Sequence, residues 1–196
     1  MRLADPQRFY WDACAWIGFI NEEPAKIGPL RYVWDRASRG ECEIWTSVYS
    51  YLEVLKIKEA SGDPIPLAES NRRIDEMFQQ PHVKRVQLDT EIARFARLLK
   101  QTHHDAGLKS RPDAIHIATA AYHNLDELHT WDNAHILPFD GKIMRHDGTP
   151  LRILIPNVTG LEGTIFELIG APGAPATPPT EETPQEGAPG PNEKEV

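Results

Sequence analysis

The stretch "SRPDAIHIATAAYHNLDELHTWDNAHI", residues 110–136, decides the fold. It predicts a helix, a short link, a strand and a turn, because inward-facing apolar residues at helical spacing give way to the β-rich segment "ELHTW". Asp113 lies just inside the predicted start of the helix, and Asp132 lies just past the predicted end of the strand. Either acid alone could cap its element, and both could instead line one site.

Helical segments separate three predicted strands, at residues 8–11, 82–88 and 127–131. Such alternation is typical of an α/β sandwich with a mostly parallel central sheet flanked by helices. In such a sheet the carboxyl ends of the strands and the amino ends of the following helices share one edge, where ligands bind. Asp12 follows the first strand, so the topology places it at the same edge as Asp113 and Asp132.

Three further segments carry secondary-structure predictions. Residues 47–60 predict a helix with a core-facing stripe formed by Val48, Tyr51, Leu52 and Leu55. Residues 142–156 predict two strands around a turn that contains an Asp-Gly pair. Residues 161–170 predict a last short helix.

The end of the chain differs in composition from the rest. Residues 171–196 hold seven of the 17 prolines and almost no large apolar residue, so we expect disorder there. Residues 161–196 carry seven acids against one lysine, which leaves the preceding body near −2 of the total −8. We therefore predict a folded domain over residues 1–160, followed by a short helix and an acidic, proline-rich tail over residues 161–196. The overall acidity does not exclude a polyanionic substrate.

Cysteine usage and the start of the chain bear on the compartment. Cys14 and Cys42 show no metal-type spacing, and two cysteines in 196 residues suggest a reducing environment without a disulfide framework. The first residues are mixed polar, and the apolar stretch "ACAWIGFI" is too short to span a bilayer. We expect a cytoplasmic protein that does not enter a membrane.

Acids crowded at one edge require a positive partner, because neighbouring carboxylates repel and some would stay protonated. A hard divalent cation such as Mg²⁺ or Mn²⁺ takes oxygen ligands and meets this need. Glu53 is a further candidate, since a lone acid in the apolar stretch "SVYSYLEVLKI" is costly without a partner. With a phosphodiester substrate, such a metal activates water and neutralises phosphoryl charge.

Four segments resemble, in order, the acidic motifs of the PIN-domain family: "FYWDACAWIGFIN", "SVYSYLEVLK", "RPDAIHIATA" and "LHTWDNAHI". The closest likeness is to toxins of the virulence-associated protein C (VapC) type, and it covers roughly residues 8–156. The resemblance implies a three-layer PIN-like sandwich and a Mg²⁺- or Mn²⁺-dependent endoribonuclease. The acids that match the family's motifs would be catalytic residues and metal ligands: Asp12, Glu53, Asp113 and Asp132. Thr130 would match the hydroxyl residue that orients the site.

The resemblance also implies partners. VapC-like proteins typically cleave structured RNA such as tRNA or ribosomal RNA, usually dimerise, and are held inactive by a small antitoxin that inserts into the site. The chain departs from the family where Ser or Thr often stands two residues after the first acid, because Cys14 occupies that position.

Each acid also has a purely structural interpretation. Asp12 could cap the following helix, and Asp132 could form an Asx turn. Ser110 and Asp113 have the spacing of a capping box, as do Ser50 and Glu53. Four such coincidences in this order are less favoured than one shared site.

Other functions and other residues remain open at the sequence level. A non-catalytic PIN-like module that binds RNA or protein is the main alternative, and a haloacid-dehalogenase-like phosphatase is disfavoured because Cys14 replaces its second Asp. His116 could approach the site, whereas His135 shows no ligand spacing and is expected to be structural or on the surface. Several basic side chains could contact phosphate, although a solvated face is the default for them: Arg72, Arg73, Lys84, Arg85, Lys109 and Arg111.

Overall fold

A computed structural model of the chain describes residues 6–55, 57 and 65–157. The predicted helix 161–170 and the tail 171–196 lie outside the described residues. The strands are β1 Gln7–Trp11, β2 Cys42–Ser47, β3 Val83–Val86, β4 Glu127–His129 and β5 Arg152–Leu154. The helices are α1 Ala13–Ile20, α2 Ile27–Ser38, α3 Ser50–Glu53, α4 Leu67–Phe78, α5 Thr90–Thr102 and α6 Arg111–Tyr122.

The strands form one sheet in the order β3-β2-β1-β4-β5. Tyr10 of the central strand pairs with Trp45 on one side and with Leu128 on the other, and every strand pairing in the sheet is parallel. The carboxyl ends of the strands therefore lie along one edge. The predicted α/β architecture with a parallel sheet is confirmed.

Helices cover both faces of this sheet. Side chains of β1 alternate between the faces, as the pleat of a strand requires. Tyr10 packs in a cluster with residues of α5 and α6, including Ile117, while Phe9 and Trp11 pack with residues of α1, α2 and α4, including Phe78. The result is a three-layer sandwich. None of the helices within the described residues is both long and apolar enough to cross a membrane.

The helix predicted over residues 47–60 is wrong in its described part. The helix α3 is a single turn, and Val54, with a ψ of 81°, leaves the helical conformation. The predicted core stripe fails at Leu52 and Leu55, whose side chains are 66% and 61% exposed.

A non-helical segment follows this turn and buries other residues instead. Val54 and Ile57 are each only 3% exposed, and the Ile57 N–H donates to the hydroxyl of Ser70 on α4 at 3.0 Å. Apolar residues three positions apart suit a helix equally well, so a short apolar pattern does not distinguish the two conformations. Because α3 begins soon after β2 ends, Glu53 stays close to the carboxyl edge of the sheet.

The pair of strands predicted over residues 142–156 is also wrong. The only strand of that segment is β5, which runs parallel to β4. The predicted hairpin is reduced to an isolated antiparallel bridge and a few backbone hydrogen bonds, such as that from the Leu151 N–H to the Ile143 carbonyl at 2.8 Å. The Arg145 guanidinium donates to the carbonyl oxygens of Asn124 and Leu125, at 3.4 and 3.0 Å. These bonds dock the segment on the link between α6 and β4.

Candidate functional site

The carboxyl edge of the sheet carries the acids that the sequence singles out. Asp12 directly follows β1, Asp132 lies three residues beyond β4, and Asp113 is the third residue of α6. Glu53 is the last residue of α3, which follows β2. Parallel topology thus brings residues from four distant segments to one edge of the fold.

Asp12 is buried, with only 1% of its surface exposed. Its Oδ1 accepts the N–H of Ala15 at 2.8 Å and so caps α1, and its Oδ2 accepts a hydrogen bond from the Thr130 hydroxyl. Burial raises the pKa of Asp12 to about 6, although the charge of His116 and the bond from Thr130 act in the opposite direction. Capping a helix does not prevent this carboxylate from making further contacts, because each of its oxygens has two lone pairs.

Thr130 connects the loops that follow β1 and β4. While its hydroxyl donates to Asp12, the same oxygen accepts the N–H of Asp132 at 2.9 Å. The side chain of Thr130 is fully buried, so both bonds are shielded from water. These two bonds are of the kind that the orienting role implied by the resemblance would require.

Asp132 shapes the loop after β4. Its Oδ1 accepts the N–H groups of Ala134 and His135, at 3.0 and 2.8 Å, which is the Asx-type turn considered above. The His135 ring nitrogen Nδ1 lies 3.3 Å from Oδ2 of the same carboxylate. The turn therefore fixes both the acid and the histidine that follows it by three residues.

Asp113 lies in the first turn of α6, with Ser110 as the cap. The Asp113 N–H donates to the Ser110 hydroxyl at 3.4 Å, a long contact. Burial raises the pKa of the Asp113 carboxyl, and repulsion from Asp132 acts in the same direction. Asp132 lies close enough to disfavour a negative charge on Asp113, which is the situation that a bound cation relieves.

Asp113, Asp132 and His135 form one group whose ligand atoms, one from each residue, all lie within 4.8 Å of one another. From the sequence His135 had no role in this group, since Asp132-x-x-His135 becomes a ligand pair only when the Asx turn bends the chain. Asp12 and Glu53 are not members of the group among the described residues, and each is held by its own hydrogen bonds.

Glu53 is part of a buried chain of hydrogen bonds. The Ser47 N–H donates to the Tyr10 hydroxyl at 3.1 Å, which lies 2.7 Å from Nδ1 of His116. Burial raises the pKa of the Tyr10 hydroxyl far above its usual range, so Tyr10 keeps its proton. On the other side of the imidazole ring, Nε2 of His116 is hydrogen-bonded to the Glu53 carboxylate over 2.6 Å.

The capping alternative for Glu53 does not hold. The residue before α3 is Tyr49, and its side chain makes no capping bond. The Ser50 hydroxyl is hydrogen-bonded to that of Thr46 at 2.9 Å. Glu53 is consequently oriented by His116, and His116 also acts electrostatically on Asp12 and Asp113.

Two other features at this edge differ in character from the acids. Burial raises the pKa of Cys14 to about 12, so the residue that replaces the family's hydroxyl is a neutral thiol. Trp131 is partly buried against the core, and the Lys26 ammonium lies 5.7 Å from the centre of its ring. That contact engages the indole with a protein cation.

The family model described as the PIN domain matches residues 9–137. No curated protein matches the chain in sequence.

Solved structures similar to this chain include three toxin–antitoxin proteins. VapBC2 from Rickettsia felis, bound to a DNA fragment from its promoter, is 12% identical with a TM-score of 0.49, covering 63% of this chain and 87% of that chain. VapC20 from Mycobacterium tuberculosis, described as a sarcin-ricin loop cleaving toxin, is 14% identical with a TM-score of 0.48, covering 64% and 90%. A toxin–antitoxin complex from Klebsiella pneumoniae is 17% identical with a TM-score of 0.42, covering 66% and 97%.

Proposed function

The chain belongs to the PIN-domain family, and we propose that it is a metal-dependent endoribonuclease that hydrolyses RNA phosphodiester bonds. The observation that carries this proposal is the group of Asp113, Asp132 and His135, with ligand atoms within 4.8 Å of one another. It lies where parallel strands end and a helix begins, the usual place for a ligand in an α/β sheet.

The donor set fits a hard divalent cation. Two carboxylates supply oxygen ligands of the kind that Mg²⁺ and Mn²⁺ prefer. Burial and mutual repulsion raise the pKa of Asp113, so the pair is electrostatically unfavourable without a positive partner. Negative charge on these carboxylates would destabilise the folded protein if no cation were bound. This supports a metal centre at this position.

Each residue has a distinct role in this proposal. Asp113 and Asp132 hold the ion directly, while Asp12 and Glu53 hold it directly or through water. When bound, the ion supplies positive charge beside the phosphate and lowers the pKa of water. Thr130 keeps the Asp12 carboxylate in place, as His116 does for Glu53.

We extend the proposal to a biological role as the toxin of a VapBC-like toxin–antitoxin pair. The support is the order of four acidic motifs within residues 8–156, which resembles that of VapC-type toxins. On this proposal the protein acts in the cytoplasm as a homodimer, and a small cognate antitoxin holds it inactive by occupying the site.

The direct test is incubation of the purified protein with total RNA and Mg²⁺ or Mn²⁺. Cleavage is expected for the wild type and for Asp75→Asn, which changes an exposed carboxylate on α4. Cleavage is expected to be lost in Asp113→Asn and in Asp132→Asn. Equal cleavage by all four proteins would remove the acidic group from the mechanism.

Calorimetry with Mn²⁺ separates the enzyme from the main alternative. A wild type that neither binds Mn²⁺ nor cleaves RNA would be a non-catalytic PIN-like module that binds RNA or protein. Binding of Mn²⁺ that is lost in Asp113→Asn and kept in Asp75→Asn supports the metal centre.

A further inference from the structure

A groove of about 720 Å³ lies beside the first turn of α6, between that helix and α5. Its floor is formed by small and apolar side chains: Leu88, Ala93, Ala96, Ala114 and Ile115. Three cationic side chains line it as well, Arg97 and Lys100 from α5 and Arg111 from α6. The groove therefore combines a smooth floor with positive charge.

These three cations are unpaired, in contrast to most arginines of the protein. Arg97, Lys100 and Arg111 make no hydrogen bond or ion pair with the residues that the structure describes. Other arginines lie within 4.0 Å of a carboxylate: Arg31, Arg36, Arg39, Arg72, Arg73, Arg94, Arg145 and Arg152. The acids in those pairs neutralise other arginines, whereas the groove cations keep their positive charge.

The remaining charged groups of the groove are His104 and Asp105, whose side chains face each other at 3.2 Å. One carboxylate thus opposes three permanent cations, and the groove is positive in a protein whose formal net charge is −8. A local field of this sign attracts a polyanion despite the overall acidity.

The groove reaches the same first turn of α6 as the candidate metal centre, although Asp113 is not among the residues that line it. Arg111 precedes Asp113 by two residues in the first turn of α6, and Ala114, which follows Asp113, lines the groove. A phosphodiester at Asp113 would face several carboxylates, so phosphates on either side of it need cations nearby to offset the repulsion. Of the unpaired cations, Arg111 shares the first turn of α6 with Asp113 and is available to such a phosphate.

We propose that this groove binds backbone phosphates of the RNA substrate and guides the strand to Asp113. The inference rests on the proposed function, because it assigns the polyanion as RNA. One guanidinium group can bind two oxygens of a phosphate at once, so Arg97 and Arg111 are well suited to bind phosphates. The floor carries no aromatic side chain for base stacking, so contact is made through the backbone and is independent of sequence.

The test measures the affinity of a fluorescein-labelled, mixed-sequence single-stranded RNA of 20 nucleotides by anisotropy, in EDTA, at several salt concentrations. Three phosphate contacts on a single strand contribute about −2 to the slope of log K against log[salt], at roughly −0.7 each. The triple variant Arg97→Gln, Lys100→Gln, Arg111→Gln is expected to lose that contribution. Each single variant is expected to lose about a third of it.

The matched controls are Arg94→Gln and Arg72→Gln, which remove arginines already paired with Glu91 and Glu69. These controls are expected to keep the wild-type slope. Equal losses in the controls and the groove variants would overturn the proposal, because attraction would then be a property of the whole surface. An unchanged slope in the triple variant would overturn it too, and would leave the groove to a protein partner.

Cleavage kinetics distinguish this proposal from that of the enzyme itself. A triple variant with raised KM and unchanged kcat would support RNA binding in the groove. A triple variant with wild-type KM would contradict RNA binding in the groove without affecting the proposal that the protein is a ribonuclease. The wild type could also cleave no RNA but bind it with a salt dependence that the triple variant loses. That result would contradict the proposed ribonuclease activity and support RNA binding in the groove.

Discussion

The hydroxyl of Thr130 donates a hydrogen bond to the carboxylate of Asp12, across 118 positions of the sequence. The same hydroxyl accepts the N–H of Asp132. Because β1 and β4 are neighbours in the sheet, one buried side chain ties together the loops that carry two of the four acids. The geometry of the candidate metal centre thus depends on a residue that is not proposed as a ligand.

Thr130→Val is expected to destabilise the protein. Valine keeps the shape but leaves the Asp132 N–H and one Asp12 oxygen without their partner, which costs about 1–3 kcal/mol of the free energy of unfolding. Urea unfolding measures the change, with Thr130→Ser as the control that keeps the hydroxyl. A valine variant as stable as the serine variant would show that this bond contributes nothing.

Asp12→Asn is expected to change how stability depends on pH in metal-free protein. Burial raises the pKa of Asp12 from 3.8 to about 6, so the folded state holds this proton more tightly than the unfolded state. The resulting stabilisation is complete below pH ~4 and is lost as the pH rises through about 6, with a total of about 3 kcal/mol. Asparagine has no such proton, so wild type should lose stability relative to the variant between these values.

The measurement is the free energy of unfolding in EDTA from pH 4 to pH 7.5. The difference between wild type and Asp12→Asn isolates this one carboxyl, since other buried acids titrate in both proteins. Asp75→Asn, at an exposed position, should track the wild type throughout. A wild-type-to-variant difference that is constant across this range would contradict a raised pKa at Asp12.

The part of this site that follows from the sequence is the part that local patterns determine. Asp12 follows a strand, and Asp113 lies at the beginning of a helix. Both boundaries have clear signals in the sequence, namely apolar spacing and capping residues. A parallel sheet then places strand ends and helix starts at one edge without further information. Four acids could therefore be named before any coordinates.

The contacts that hold these acids are not encoded locally. His116 touches Glu53, 63 positions away, and Tyr10, 106 positions away, and neither distance in sequence suggests a contact. His135 approaches Asp132 only because the Asx turn bends the loop. Likewise, the end of α3 was missed because Val48, Tyr51, Leu52 and Leu55 have helical spacing, although the structure leaves Leu52 and Leu55 exposed.

His135→Gln is expected to weaken metal binding without abolishing it. The imidazole is one of three groups within 4.8 Å of one another, and the two carboxylates supply most of the attraction for a divalent cation. Thermal shift with Mn²⁺ measures the effect, since a ligand at 100 times its Kd stabilises by about 2.7 kcal/mol. We expect a Kd about tenfold higher for His135→Gln and no shift for Asp132→Asn.

The control for His135 is His146→Gln, which changes another exposed histidine outside that group. It should keep the wild-type response to Mn²⁺. An unchanged Kd in His135→Gln would mean that the imidazole only completes the turn and does not contribute to the metal centre.

Tyr10→Phe is expected to lower kcat with little change in KM, because it acts through the orientation of Glu53. Loss of the hydroxyl leaves the Ser47 N–H without an acceptor and removes the hydrogen-bond partner of Nδ1 of His116, so the imidazole ring that holds Glu53 through Nε2 is less firmly oriented. Loss of such a supporting partner typically costs 10–100-fold, and about tenfold is expected here. Tyr49→Phe is the matched control, since its ring lies 6.4 Å from the same histidine and its hydroxyl makes no hydrogen bond with the described residues. Equal kcat in the two variants would show that the chain from Tyr10 to Glu53 serves only the stability of the core.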